Sequence, residues 1–276
     1  MKGTIIITGA SSGFGYLTAV KCAEKGFRVI ATMRDLHKAS VYDTCAEVVR
    51  NNIDFWQLDV TDPVSIAAFS DRVQKLRKVD ILINNAGFAI GGFVEQVSVE
   101  DYRRQFETNL FGLIGVTQVV LPKMREQASG KIINVSSISG RIGFPGLSPY
   151  VSSKYALEGW TESLRLEMKP FGVDVALIEP GSFQTNIWST GMELSDAVTQ
   201  PDSPYAFYFQ KLWRTLESQS HGDPDKVAEL MARLASQSSV SKLRYPVGRS
   251  AKGTLILKRL LPWRWFERLV LKNLFS

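Results

Sequence analysis

Along its length the chain alternates short, β-branched apolar runs with longer stretches whose apolar positions recur every three or four residues. Residues 3–8 (GTIIIT), 27–33 (FRVIATM), 53–60 (IDFWQLDV), 79–87 (VDILINNAG), 131–137 (KIINVSS) and 173–181 (VDVALIEPG) follow the first pattern, which predicts buried strands. The second pattern predicts helices from the glycine turn at 9–15 to about Lys25, then over 36–50, 61–76, 98–126 and 150–168. Asp62 and Pro63 supply a cap and an early proline for the third of these. Strands alternating with helices predict an α/β fold: a single-domain, Rossmann-type, doubly wound parallel sheet with helices on both faces. No repeat, low-complexity run or linker breaks the pattern, so the whole chain reads as one domain.

After Pro180-Gly181 the alternation stops. Residues 182–222 set Phe183, Ile187, Trp188, Tyr205, Phe207, Tyr208, Phe209 and Trp213 among polar residues. A segment this long inside a compact domain is usually functional. Its aromatic content suits a lid over an apolar substrate, or helices packed on the core. Residues 223–236 predict a helix with Pro224 in its first turn, and 244–248 a last strand. The basic amphipathic tail, 252–276, interleaves Trp263, Trp265, Phe266 and Leu269 with Lys258, Arg259, Arg264, Arg268 and Lys272. Residues 258–275 therefore fit peripheral contact with a membrane surface, closure of a substrate cleft, or a subunit contact.

The candidate chemistry is concentrated at the predicted strand ends. Gly9, Gly13 and Gly15, with Ser11, Ser12 and Phe14 between them, form a strand–glycine turn–helix unit. Such a turn lets the backbone approach a pyrophosphate and aims free helix N–H groups at it; it also serves as a plain connection. Arg34, just past the second strand, can pair with a ribose 2′-phosphate or stand as an exposed turn arginine, and Asp35 beside it points the other way. Asn84-Asn85-Ala86-Gly87 can brace the sheet or line a cofactor. Tyr150 and Lys154, four residues apart, share a helix face. An ammonium beside a phenol favours phenolate, which would lower the acidity threshold of Tyr150 and suit it to proton transfer. The pair also fits a packed Tyr and a solvated Lys. Ser137 ends an apolar strand, where open α/β sheets put their ligands.

Composition narrows the classes. The 276 residues are 45% hydrophobic and 22% charged, an ordinary globular balance. A formal net charge of +6 suits an anionic cofactor or membrane surface, whereas the lack of any Lys/Arg run of five disfavours nucleic acid. Cys22 and Cys45 make no disulfide framework and fit a reducing, cytoplasmic setting. His37 and His221 have no ligand-like neighbours, so no metal is expected. The N-terminal apolar run is too short for a signal peptide, and no window offers the ~18 apolar residues of a membrane span.

With these residues in place, the chain resembles the short-chain dehydrogenase/reductase family over about residues 3–248. Thr8-Gly9-x3-Gly13-x-Gly15, Asn84-Asn85-Ala86-Gly87, Asn109, Ser137, Tyr150-x3-Lys154 and Pro180-Gly181 stand in family order and spacing. Phe14 departs mildly, at a position that is usually aliphatic. The segment ATMRD and the arrangement of RYPVG and the tail look like the branch containing hydroxysteroid and retinol dehydrogenases. The resemblance implies an oxidoreductase moving hydride between a nicotinamide and the carbonyl or secondary alcohol of a small apolar substrate. It implies Tyr150 as acid/base, Ser137 holding the substrate oxygen, Lys154 on the nicotinamide ribose and holding down the Tyr150 pKa, and Asn109 carrying a relay water. It implies NADP (NADPH) in preference to NAD, held by Gly9, Ser11, Ser12, Gly13, Phe14, Gly15, Arg34, Asp59, Val60, Asn85, Ala86, Gly87, Tyr150, Lys154, Pro180, Gly181, Phe183 and Thr185. Phe88, Phe144, Leu147 and Trp188 would face the substrate beside Ser137 and Tyr150. A homodimer or homotetramer is implied through the helices near 98–126 and 149–169. A non-catalytic NADP(H)-binding regulator on the same fold is the competing class, and the intact Ser137, Tyr150 and Lys154 set counts against it.

Overall fold

The structure, a computed structural model, describes residues 2–183, 192–198, 200, 202–218, 221–248 and 251–275. Its sheet follows from side-chain alternation. In β1 (Thr4–Ile7), Ile5 and Ile7 enter one apolar layer and Ile6 the other. In β2 (Arg28–Met33), Val29 and Ala31 oppose Ile30 in the same way. In β4 (Ile81–Asn84) and β6 (Gly130–Val135), Ile83 and Ile133 oppose Leu82 and Ile132. Both sides of each strand are buried, so the runs are continuously apolar, the signature of a parallel sheet covered on two faces.

With β3 (Ile53–Gln57), β7 (Val173–Pro180) and β9 (Arg244–Val247), these strands form a seven-stranded parallel sheet in the order β3-β2-β1-β4-β6-β7-β9. The order reverses between β1 and β4, which opens a crevice at the C-terminal strand ends. One face is covered by α1 (Gly13–Glu24), through Ala19, Cys22 and Ala23, and by a later helix, Asp225–Ser236. The other face is covered by α3 (Pro63–Gln74), α5 (Gly112–Glu126) and α6 (Ser148–Met168). Asp62 caps α3 as expected, accepting from the N–H groups of Val64 and Ser65 at 3.0 and 3.2 Å.

Several expectations are corrected. Residues 36–50 form a 3₁₀ segment (Leu36–Tyr42) and the short α2 (Glu47–Arg50) instead of one helix. Tyr42 turns inward there, and its hydroxyl donates to the Ala10 carbonyl at 2.6 Å. Residues 98–126 are helical, but α4 (Val99–Phe106) reaches α5 through a π segment at Glu107–Phe111. Within 182–222, β8 (Met192–Leu194) pairs with β5 (Ala89–Gly91) in a small parallel sheet, and α7 (Ala206–Ser218) follows. Next comes α8, the Asp225–Ser236 helix. Lys131 is buried at its C-terminal end and donates to the carbonyls of Leu234, Ala235 and Gln237 at 2.6, 3.2 and 2.6 Å. An ammonium suits the negative end of a helix dipole. The tail folds into α9 (Ala251–Leu260) and α10 (Trp263–Phe275), separated at Leu261-Pro262.

Candidate active site

The turn after β1 needs glycine for steric reasons. Gly9 and Gly13 have φ of +65° and +53°, which L side chains resist. A Cβ on Gly9 would lie 2.8 Å from the Ala86 Cα, and one on Gly15 would strike the Gly9 carbonyl oxygen. The amide of Asn85 donates to the carbonyls of Thr8 and Gly9, each at 3.0 Å, while Thr8 Oγ1 accepts from the N–H groups of Asn85 and Ala86. Asn85, expected on the cofactor, thus braces the cradle with its side chain. Asn84 braces the sheet, bonding Asn134 and Thr117 at 2.9 Å each. The exposed Ser12 caps α1 with no side-chain bond to the helix. The free N–H groups of α1 and a backbone cleared of side chains fit a pyrophosphate.

At the end of β2, Arg34 is exposed, and its carbonyl accepts from Gln57 Nε2 at 3.2 Å. Asp35 caps the 3₁₀ segment, accepting from the His37 N–H at 2.9 Å. The carboxylate is tied to local backbone, and the guanidinium is the group presented at this edge. Past β3, Asp59 folds onto Thr61, accepting from its N–H and hydroxyl at 2.9 and 2.8 Å. Val60 is buried in the core. Phe14 and Phe183 meet edge to face, with centroids 5.8 Å apart, inside the apolar layer beneath the cradle. Their rings are core, which leaves their backbone as the part that could meet a cofactor. Thr185 and Trp188 lie outside the described residues.

At the end of β6 the structure brings Ser137, Tyr150 and Lys154 together. β6 stops at Val135, and Ser137 begins a 3₁₀ turn (Ile138–Gly140), its Oγ accepting from the Ser139 N–H at 3.1 Å. Tyr150 sits in the first turn of α6, its phenol near enough to the Ser137 hydroxyl to be influenced by it. Lys154, one turn on, donates to the Val135 carbonyl at 2.9 Å and stands 5.7 Å from the Tyr150 ring centroid. Both side chains are buried, at 5% and 6% exposure, so Lys154 is not the solvated lysine of the alternative reading. Pro180, at the end of β7, offers its carbonyl to Ser137 Oγ at 3.5 Å, and Gly181 is held by its N–H to Val247 at 2.8 Å.

The electrostatics reverse one expectation. Burial pushes the Tyr150 phenol up to about 12, with the Ser137 hydroxyl pulling weakly the other way. The ammonium of Lys154 is directed to a backbone carbonyl, and its charge does not offset this desolvation. Burial also pushes Lys154 down to about 8, opposed by the charge of Glu158. In the unfolded chain Lys154 titrates at its ordinary 10.5. The unfolded state therefore holds the extra proton between those two values, and this lysine makes stability rise with pH across that window. Denaturant titrations of wild type and Lys154→Met check the sign: the wild type should gain on the variant between pH ~8 and ~10.5. Parallel pH profiles would show that Lys154 does not titrate there.

Asn109 lies in the π segment, a local widening common at functional sites. Its Oδ1 accepts from the Phe88 N–H at 3.1 Å, and its Nδ2 donates to the Phe88 carbonyl at 3.0 Å and to Ser153 Oγ at 3.2 Å. Both amide hydrogens are committed. Its side chain thus braces Phe88 against α6. Behind Lys154, Arg244 bridges the buried carboxylates of Glu158 (2.8 Å) and Glu179 (3.4 Å).

On the substrate side, Phe88 and Phe144 are half-buried and Leu147 is buried. Leu147 lines a small apolar cleft with Phe93, Met192, Leu194, Phe209, Leu212 and Trp213, bounded by Gly91, Gly92 and Gly146. Most of these residues are absent from the sequence-based set. The i, i+3, i+4 spacing of Phe209, Leu212 and Trp213 in α7 was the available signal.

The family model for short chain dehydrogenases matches residues 3–193. The chain is 50% identical over 279 residues to the uncharacterized oxidoreductase YusZ of Bacillus subtilis, covering 100% of this chain and 99% of that one. It is 34% identical over 238 residues to the 3-ketodihydrosphingosine reductase of Bacteroides thetaiotaomicron, covering 85% and 84%. The crystal structure of a short-chain dehydrogenase from Streptomyces avermitilis superposes with a TM-score of 0.79 at 31% identity, covering 96% of this chain and 97% of that one. With the glycine cradle, the switch point and the Ser137–Tyr150–Lys154 cluster in these positions, the chain belongs to the short-chain dehydrogenase/reductase family and is a nicotinamide-dependent oxidoreductase.

Proposed function

We propose that the protein reduces the carbonyl group of an apolar substrate at the expense of NADPH. The observation that carries this reading is the gathering of the Ser137 and Tyr150 hydroxyls, both buried, beside Lys154 at the open end of the sheet. The bound nicotinamide supplies the hydride. The substrate oxygen takes bonds from both hydroxyls, and as negative charge grows on it the two donors stabilise it, at ~3 kcal/mol per donor. Tyr150 then releases its proton. A phenol held up to about 12 is fully protonated at neutral pH, yet far more acidic than the alcohol it makes, which favours the reductive direction. Lys154 holds the nicotinamide ribose and answers the transient phenolate. The glycine cradle takes the pyrophosphate, and Arg34 takes the 2′-phosphate, a reading supported by the engagement of Asp35 elsewhere.

An apolar substrate is supported by the lining of Leu147, Leu194, Phe209 and Leu212, and by the 34% identity to a 3-ketodihydrosphingosine reductase. The free thiols of Cys22 and Cys45 accord with the cytoplasm. Exposed Phe111, Tyr155 and Leu166 on the α5 and α6 side offer apolar surface for a homodimer or homotetramer. The reaction is tested by following NADPH absorbance with a panel of long-chain and short polar ketones and aldehydes. Consumption should appear with the long-chain members. A flat trace across the whole panel ends the reading.

A further inference from the structure

Part of the tail's apolar surface stays outside its contact with the protein. At about 100° per residue, Ala251, Leu255 and Lys258 share the side of α9 that meets the protein. There Ala251 is buried, and Lys258 is fastened to the Tyr155 hydroxyl at 2.7 Å and to the Arg141 carbonyl. Ile256, Leu257 and Leu260 lie on the opposite side, and Ile256 and Leu260 are 57% and 73% exposed. In α10, Phe266 is the buried anchor, and the helix packs against α7. Its apolar arc is wider than that contact: Trp263, Trp265 and Leu269 remain outside it, the two Trp at 64% and 61% exposure. Arg264 and Arg268, both exposed, run along the next strip of the helix. Across 251–272 the charged residues are Lys252, Lys258, Arg259, Arg264, Arg268 and Lys272 against the single acid Glu267.

We propose that α9 and α10 form a docking face for an anionic bilayer surface. Trp263, Trp265, Leu269, Ile256 and Leu260 enter the interface between headgroups and acyl chains, and the flanking arginines meet the phosphates. The cores of subunit contacts are depleted in charge. Here a one-sided basic excess borders outward-facing Trp and Leu. No helix among the described residues is long and apolar enough to cross a membrane, so the contact is peripheral. The face also has a consequence for access, which rests on the reaction proposed above. α7 lines the apolar cleft with Phe209, Leu212 and Trp213 and carries exposed Phe207 on its other side, while α10 packs on it. Docking therefore sets the wall of the cleft beside the lipid in which apolar carbonyl compounds dissolve.

Flotation of the full-length protein with vesicles tests the face. Wild type should float with mixed phosphatidylcholine and phosphatidylglycerol vesicles, should stay behind with phosphatidylcholine alone, and should be released by salt of ~0.5 M. The double variant Trp265→Ser/Leu269→Ser should lower the floated fraction about tenfold or more, and Arg264→Glu/Arg268→Glu should abolish the preference for anionic lipid. Wild type that stays behind with anionic vesicles, or variants that float like it, overturn the proposal. So does a fall in particle mass by light scattering in the double variant, which would assign the face to a second copy of this chain. NADPH consumption with a water-soluble ketone is read on the same samples. Flotation without consumption leaves the docking face standing and removes the reaction.

Discussion

Tyr150→Phe should lower turnover by about 10³-fold or more while NADPH still binds with unchanged affinity. The substitution removes one oxygen and keeps the ring, which is buried at the head of α6 and fills the same space. What is lost is the proton donor and one of two hydroxyls facing the developing alkoxide. Ser137 remains, still anchored by the Ser139 N–H, so some polarisation of the carbonyl survives. Steady-state rates and a fluorescence titration with NADPH separate the two effects. Turnover like that of wild type would remove Tyr150 from the chemistry and with it the proposed mechanism.

Arg34→Ala should weaken NADPH by about 10- to 100-fold and leave NADH almost unchanged. The guanidinium is exposed at the end of β2, and removing it disturbs no core packing. Asp35 has one carboxylate oxygen on the His37 N–H, so the titration with NADH also reads whether its other oxygen serves a ribose hydroxyl. Titrating both cofactors against wild type and variant reads the difference directly. Equal losses for the two would mean that Arg34 acts on fold or on pyrophosphate, and the assigned preference for NADPH would fall.

How much was legible in the sequence depended on the range of the forces involved. The sheet was readable because β1, β2, β4 and β6 are apolar on both faces, and that pattern is local. The glycine turn was readable because its conformations and close approaches exclude other residues. Tyr150 and Lys154 were readable as a pair because a helix places i and i+4 on one face. The sign of the Tyr150 shift was not, since burial is a property of the assembled core and outweighs a neighbouring charge that is directed elsewhere. The bracing roles of Asn85 and Asn109 depend on partners at Thr8, Gly9, Phe88 and Ser153, and no spacing rule reaches those. β5 and β8 are three residues each, too short for alternation to register. The break of 36–50 into two pieces came from Tyr42 reaching back to Ala10.

Strand β9 carries a consequence for how the molecule comes to exist. It pairs with β7 across some sixty residues of intervening chain, from Leu177 opposite Arg244 to Pro180 opposite Val247. It also delivers the guanidinium that bridges Glu158 and Glu179, the latter shared with Arg141 at 3.1 Å. During synthesis from the N-terminus, a polypeptide that has not yet reached residue 244 has an open sheet edge and two acids lacking that counter-charge, right behind the reacting groups. Distant pairings of this kind form late and slowly. That edge is therefore open to misassociation until residue 244 has left the ribosome.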